Sequence, residues 1–256
     1  MENTDRLDQI LRELQKKKVT DISDLSKVCY VSPCTLRRDL IKLEKRGLIQ
    51  RTYGKVILQE HPSQVSPYDI RTQESTEEKA KIARLAASLV TDSSLLMLDF
   101  SSTVERLVPF LKSKHMLHIV TNGLKVAMDC QVELPDANIY CTGGELQRNI
   151  NGFTGTPAIE MLESFRPDVL FFSANALSLE DGVMVVDEQT LHVKRSMMRF
   201  SKKCVLMCDS RKFTRRGYRV LCPFRDIDTL VTDRRPTDDW VRVLHDAGVE
   251  LLYPEG

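Results

Sequence analysis

Residues 31–54 read VSPCTLRRDLIKLEKRGLIQRTYG, and their pattern decides how the front of the chain folds. Ser32 followed by Pro33 predicts a helix start, because the serine can cap an orphan amide and a proline at the first helical position gives up no hydrogen bond. Gly47 predicts the stop, since glycine tolerates the left-handed conformation that closes a helix. Between them Leu36, Leu40 and Leu43 share one face, which turns Cys34, Thr35, Arg38 and Lys42 to the other, with Arg37 at its flank. Residues 48–58 then read as two short strands around a turn at Thr52, Tyr53 and Gly54, the outline of a wing. A helix lying in a DNA major groove needs short polar or basic side chains near its N-terminus to reach base edges, and cations beside it to neutralise phosphates. Thr35, Arg37 and Arg38 meet the first need, and Lys42, Arg51 and Lys55 the second; Ser32 and Cys34 complete the candidate DNA-binding set.

Upstream, Leu7, Ile10, Leu11 and Leu14 recur at three- and four-residue spacing, which predicts an amphipathic first helix over residues 4–16. Asp21 is placed to cap a short second helix carrying Ile22, Leu25 and Val28, after which the chain turns at residues 29–31. Residues 1–60 hold 13 Lys and Arg against 9 Asp and Glu, a net of +4, whereas the remainder holds 24 against 27, a net of −3. A basic end on a mildly acidic body suits a module that binds a polyanion. The alternative is a three-helix protein-binding module whose arginines only solvate a surface.

The segment resembles the winged helix-turn-helix of the DeoR family of bacterial regulators, and TLRRDL with the downstream LIQRTYG carries the resemblance. It implies DNA contacts for Arg37 and Arg38. Two positions depart from the family pattern: Tyr30 stands where the inter-helix turn usually has glycine, and Lys55 stands where the wing has its second glycine. A tight turn at Tyr30 requires a strained backbone.

With 256 residues and 42% hydrophobic content the chain can bury a substantial core, which argues against disorder on a large scale. Its apolar runs fall far short of the roughly 20 residues of a membrane span. The charged start does not resemble a secretion signal, so a cytoplasmic location is expected and the seven cysteines are expected to be reduced core thiols. None forms a CxxC pair and no histidine completes a zinc-type set, so neither a metal nor a cofactor is expected.

Residues 59–75 contain Pro62 and Pro67 with several Ser and Gln and no apolar periodicity, which reads as a connector between a first domain, 1–58, and a second, 76–256. Glu77, four residues before Lys81, supports a helix from Thr76. Apolar runs at 95–98, 117–120, 138–141, 169–172, 204–207, 230–231 and 249–252 then alternate with helical stretches. Such alternation predicts an α/β domain, a mostly parallel sheet covered by helices, with ligands at the carboxyl ends of the strands. After the first run, Asp99 to Thr103 reads either as a phosphate cradle of hydroxyls and amides at a helix N-terminus or as a simple serine cap. Thr121-Asn122-Gly123, Thr142-Gly143-Gly144 and Gly152-Phe153-Thr154-Gly155, the last read as opening a helix, recur at later strand ends and point to a shared polar pocket.

Over nearly all of residues 76–252 the chain resembles the C-terminal domain of the DeoR family, through LDFSST, IVTNGL, TGGEL with GFTG, DGV with VKRSMM, and VLMCDSRKF with IDTLVTD. That domain resembles sugar-phosphate isomerases, and the resemblance implies binding of sugar phosphates or related metabolites as effectors. Carried over residue by residue, it implies ligand contacts from Asp99, Ser101, Ser102, Thr103, Thr121, Asn122, Gly143, Gly144, Lys194 and Lys212. The lysines suit the role as point charges for a phosphate, against the alternatives of a solvated helix face for Lys194 and a surface turn for Lys212. Phe100 interrupts a motif that reads DGGST in the family and either narrows the loop or stacks on a ring. Asn175 stands in Ser-Ala-Asn-Ala where the family has GADG, and an amide cannot take a proton. His192 replaces a common glutamate, which changes the charge of the expected pocket.

The expectation is a DNA-binding transcriptional regulator of carbohydrate metabolism, read as a repressor and controlled by a sugar phosphate or related metabolite. Its expected partners are double-stranded operator DNA, the effector and further copies of the chain as a dimer or tetramer, with no membrane. One winged helix reads too few base pairs for useful selectivity. The competing reading is a sugar-phosphate isomerase-like enzyme with a basic helical appendage. Isomerisation needs a poised base; Asn175 cannot serve, which leaves Asp99, Asp187 and Asp209.

Overall fold

A computed structural model describes residues 3–17, 19–45, 49–58 and 68–254 of the chain, which divides into two units, residues 1–64 and 65–256. In the first, the leucine stripes fold as three helices and a hairpin: α1 (Asn3–Lys16), β1 (Val19–Asp21), α2 (Ile22–Val28), α3 (Pro33–Lys45), β2 (Ile49–Thr52) and β3 (Lys55–Leu58). Leu7, Ile10, Leu11, Leu14, Leu25, Leu36, Leu40 and Leu43 are all buried, as are Ile49 and Val56 of the hairpin. Each such side chain contributes about 1.5–3 kcal/mol of burial. Ser32 caps α3: its Oγ accepts the Thr35 N–H at 3.2 Å and lies 2.8 Å from Thr35 Oγ1. The β2–β3 turn has positive φ at both central residues, Tyr53 (40°) and Gly54 (79°), the handedness that matches the twist of a two-residue hairpin.

Two local details differ from the sequence reading. Strand β1 pairs antiparallel with β3 and makes the wing a three-stranded sheet; three residues are too few for alternation to show. Asp21 occupies the N-cap position of α2 and ends β1 opposite Lys55, yet its side chain makes no capping hydrogen bond. Tyr30 takes φ 52° in the turn before α3, the strain expected of a non-glycine there. The expected helix stop at Gly47, the strand start at Leu48 and the first part of the connector, 59–67, lie outside the described residues.

The second unit runs α4 (Tyr68–Gln73), α5 (Thr76–Ala87), β4 (Leu95–Leu98), α6 (Ser102–Glu105), β5 (His118–Thr121), α7 (Leu124–Glu133), β6 (Asn138–Cys141), β7 (Glu145–Gln147), β8 (Gly152–Thr154) and α8 (Thr156–Glu163). It continues through β9 (Val169–Phe172), β10 (Ala176–Ser178), β11 (Gly182–Val185), α9 (Glu188–Phe200), β12 (Lys203–Met207), β13 (Arg219–Cys222), β14 (Thr229–Val231), α10 (Asp238–Asp246) and β15 (Glu250–Leu252). The seven apolar runs are the seven strands of one parallel sheet, ordered β15-β14-β12-β9-β4-β5-β6. Its two faces carry separate cores, so neighbours such as Phe171 and Phe172 point opposite ways and are both fully buried. Burial on both faces is why the inner strands β4, β9, β12 and β14 read as apolar runs, whereas the edge strands β6 and β15 are only partly buried. The chain enters the sheet at β4, moves outward through β5 and β6, then returns to lay β9 on the other side of β4. The carboxyl ends of β4 and β9 therefore flank the switch point where such sheets open a crevice.

Residues 68–73, read as part of a connector, form α4 within the second unit. Gly152 to Gly155 does not open a helix directly; it forms β8, hairpinned to β7, and α8 begins at Thr156. A side sheet, β10-β11-β13, was not legible either. Five cysteines are buried, Cys141 is half-buried and Cys34 is exposed on α3, so the expectation of core thiols does not extend to Cys34. Among the described residues no helix is long and apolar enough to cross a membrane.

Candidate functional site

The loops after β4, β9 and β12 converge at the switch point. Phe100 to Thr103, Ser173 to Asn175, Asp209, Arg211 and Lys212 line a cleft there, joined by Lys79 from α5, by Thr190 and Lys194 from α9, and by Arg71 and Glu74 from α4 and the turn after it. Its floor is an ion pair. Asp99, fully buried, accepts the N–H of Ser101 at 2.8 Å, the N–H of Ser173 at 3.0 Å and the ammonium of Lys194. Lys194 also donates to the Ser173 carbonyl at 2.9 Å and stands 4.9 Å from the centre of the Phe100 ring. At 3% exposure Lys194 is no solvated helix face, and it ties the two switch-point loops together.

Of the three hydroxyl residues, Ser101 is spent on the fold. Its Oγ accepts the Val104 N–H at 3.4 Å and caps α6, so the serine-cap reading holds for this residue. Ser102 Oγ sits 3.0 Å from Lys79 Nζ and 3.3 Å from the Arg71 carbonyl, and Lys79 Nζ donates to that carbonyl as well. Burial pushes the Lys79 ammonium down to about 8, and burial followed by the charge of Arg215 pushes Lys212 down to about 8. Arg211 Nε is 3.0 Å from Asp209 Oδ1, and Arg211 Nη1 is 3.2 Å from Glu74 Oε2. Burial alone would raise the Asp209 carboxyl, but the hydrogen bond from Arg211 and the nearby charges of Lys212, Arg211 and Arg215 outweigh it and hold the group low. Asn175 and Thr190 line the same cleft; Thr190 is buried, and its Oγ1 has no hydrogen-bond partner among the described residues.

The cleft thus brings together Ser101, Ser102, Thr103, Lys194 and Lys212, with Asp99 beneath them. It does not include Thr121, Asn122, Gly143 or Gly144, which lie at the carboxyl ends of β5 and β6 on the far side of β4. Thr121 Oγ1 accepts the Gly123 N–H at 3.0 Å, and Asn122 Nδ2 donates to the Phe153 carbonyl at 3.0 Å. Gly144 answers to packing, since a Cβ there would fall 2.6 Å from the Thr154 carbonyl. Phe100 lines the cleft and packs so tightly on this side that a Cβ on Gly123 or Gly152 would meet it at 2.8 or 2.7 Å. His192 lies outside the cleft, exposed on α9 and 3.7 Å from Glu188, so it does not alter the charge of the pocket. Sequence reasoning missed Arg71, Glu74, Lys79, Thr190 and Arg211; Arg71 and Glu74 at helical spacing after Tyr68 were the available signal.

On α3, Cys34, Arg37 and Arg38 are exposed and Thr35 is half-exposed, and Lys55 is exposed beside the wing turn. The hydroxyl of Ser32 serves as the helix cap. Lys42 lies 3.6 Å from the buried Asp39, which also receives Arg6 Nε at 2.6 Å from α1. Arg51 is clasped by Glu44 of α3, with Nε 2.8 Å and its own backbone N–H 3.1 Å from the carboxylate, so its first role is to fasten the wing.

A basic, exposed helix on a three-helix core with a wing, in one chain with an α/β unit that opens a cationic cleft at its switch point, defines a DNA-binding regulator with a sensor domain. Comparison with known proteins gives the family. A model of the DeoR-like helix-turn-helix domain matches residues 6–61, and one of the DeoR C terminal sensor domain matches residues 74–234. The chain is 32% identical over 255 residues, 100% of itself and 98% of the relative, to the HTH-type transcriptional repressor GlcR of Bacillus subtilis (strain 168). It is 29% identical over 251 residues, 98% of itself and 99% of the relative, to the glycerol-3-phosphate regulon repressor of Escherichia coli (strain K12). Similar solved structures include ribose 5-phosphate isomerase A from Methanocaldococcus jannaschii, at 13% identity and a TM-score of 0.40 over 55% of each chain. Another is the full-length sorbitol operon regulator SorC from Klebsiella pneumoniae, at 8% identity and a TM-score of 0.39 over 82% of this chain and 90% of that one. The chain belongs to the DeoR family of DNA-binding transcriptional regulators.

Proposed function

We propose that the protein is a cytoplasmic, non-enzymatic repressor of a carbohydrate-metabolism operon that reads operator DNA through α3 and the wing and responds to a sugar phosphate bound in the switch-point cleft. The observation that carries the reading is the convergence, in one cleft, of the cations Lys79, Arg211 and Lys212 with the neutral polar groups of Ser102, Asn175 and Thr190. Ammonium and guanidinium donors favour a phosphate, and neutral polar groups favour sugar hydroxyls. The names of the relatives, a glycerol-3-phosphate regulon repressor among them, point the same way. Two of the candidate acid–base groups of an isomerase are occupied, Asp99 by three donors and Asp209 by Arg211; the third, Asp187, caps α9 through Oδ1, which accepts the Thr190 N–H at 2.8 Å, while its buried Oδ2 has no partner among the described residues. Thr35, Arg37, Arg38 and Lys55 are assigned to DNA, with Cys34 beside them, and pairing of two or more chains supplies a second DNA-reading helix.

Fluorescence anisotropy on the protein's own promoter DNA, at several salt concentrations and with a panel of sugar phosphates, tests the reading. Selective, salt-sensitive binding that one sugar phosphate shifts supports it. Indifference to sequence, or turnover of any member of the panel, overturns it.

A further inference from the structure

Glu74 follows α4 and sets its carboxylate among the cations of the cleft, with Oε2 3.2 Å from Arg211 Nη1 and 3.6 Å from Arg215 Nη2. The other acid on Arg211, Asp209, is 1% exposed and sits inside the same turn, whereas the Glu74 side chain is 20% exposed at the rim. The same short helix lends the cleft a second oxygen, the Arg71 carbonyl, which accepts from Lys79 and from Ser102. The donors that α4 and its following turn now engage, Arg211, Lys79 and Ser102, are thus the donors a phosphate group would claim.

We propose that Glu74 is an internal stand-in for the phosphate of the effector, which takes its place on Arg211 and loosens α4. The proposal rests on the reading of the cleft as an anionic effector site. A phosphate carries more charge and more acceptor oxygens than a carboxylate, so it wins a shared arginine, and the partly exposed pair it displaces is a weak one. Six residues cannot sustain a helix unaided, so α4 stays formed through its tertiary contacts and responds when two of them are taken. Residues 68–73 are also where the chain enters the sensor unit, so this release acts on the covalent path from the DNA-reading unit.

The test uses the full-length protein, inorganic phosphate as probe, and the variants Glu74→Gln and Lys212→Met. Binding is followed through the single tryptophan, Trp240, which meets Phe213 edge-on at 4.9 Å in the turn that bears Arg211 and Lys212. Amide exchange over residues 68–74 reports α4, and thermal melts confirm that each variant folds. Phosphate is expected to bind E74Q about tenfold more tightly than the unaltered protein, to be lost with K212M, and to speed exchange in α4, which is already fast in E74Q. If E74Q binds no more tightly while K212M has lost binding, Glu74 is not the stand-in although the cleft remains an anion site. Phosphate binding that is absent from the unaltered protein, or retained by K212M, removes the cleft reading and the proposal with it.

Discussion

Arg51 of the wing and Glu44 of the reading helix form a two-point clasp: the Arg51 backbone N–H lies 3.1 Å from Glu44 Oε1 and its Nε lies 2.8 Å from Oε2. Seven residues apart in sequence, they join α3 to the hairpin. Arg51→Ala and Glu44→Ala are therefore expected to weaken operator binding to a similar degree while leaving its dependence on salt unchanged. Arg38→Ala, which removes an expected phosphate or base contact, should instead lower the slope of log affinity against log salt by up to about 0.9. Anisotropy titrations across salt concentration distinguish the two behaviours, and a slope that falls with R51A would return Arg51 to the phosphate contacts.

Breaking the buried Asp99–Lys194 pair leaves an uncompensated charge beneath the cleft. Asp99→Asn or Lys194→Met alone is expected to destabilise the sensor unit by about 3–5 kcal/mol, and the double substitution by less than the sum. Urea denaturation of the three variants checks this. Additive losses would mean that the two groups do not act on each other.

Gly152 and Gly123 both abut Phe100, but at different atoms. A Cβ on Gly152 meets the Phe100 side chain, whereas one on Gly123 meets the Phe100 Cα first, at 2.8 Å. Both alanine variants should lose about 1–3 kcal/mol of stability. Phe100→Ala should recover part of the loss for Gly152→Ala and little of it for Gly123→Ala. Equal rescue of the two, measured by the same denaturation, would contradict the packing described.

The pH dependence follows from Lys79 and Lys212, each held near 8 against 10.5 for an ordinary lysine. Between about 8 and 10.5 the unfolded chain carries protons that the folded chain has released, so the stability of the empty protein should rise with pH across that window. Effector binding has the opposite trend, since the anion needs the ammonium form. Its affinity should fall above pH 8 by about tenfold per pH unit for each lysine the anion requires, with protons taken up on binding at pH 8. Calorimetry in buffers of different ionisation heat reads both effects, and an affinity constant from pH 7 to 9.5 would remove both lysines from the contact.

Much of the fold was legible because its signals are local. The Ser32 cap, the stripe of Leu36, Leu40 and Leu43, and the strained turn at Tyr30 each depend on neighbours within a few residues. The inner strands of the seven were legible because burial on both faces leaves apolar runs. Strands β1, β7, β8, β10, β11 and β13 were not, because they pair antiparallel outside the parallel sheet and are too short for the alternation of such strands to show, and α4 was hidden by the prolines and polar residues before it.

By itself, then, the sequence determined the helices of the first unit and the seven strands of the main sheet, which rest on periodicity, caps and short apolar runs, and the motifs that match the family. Only the tertiary structure decided which strand-end loops meet. The return of β9 to the far side of β4 is a matter of how helices cover a twisted sheet, which no window of sequence reports, and it moves the cleft toward β12. That return admits Arg211 and Lys212, leaves Thr121, Asn122, Gly143 and Gly144 outside, and exposes a place that Arg71, Glu74 and Lys79 reach from the start of the unit. The partners of Arg51 and Asp99 were settled in the same way, because an ion pair is fixed by distance in space and not by spacing along the chain.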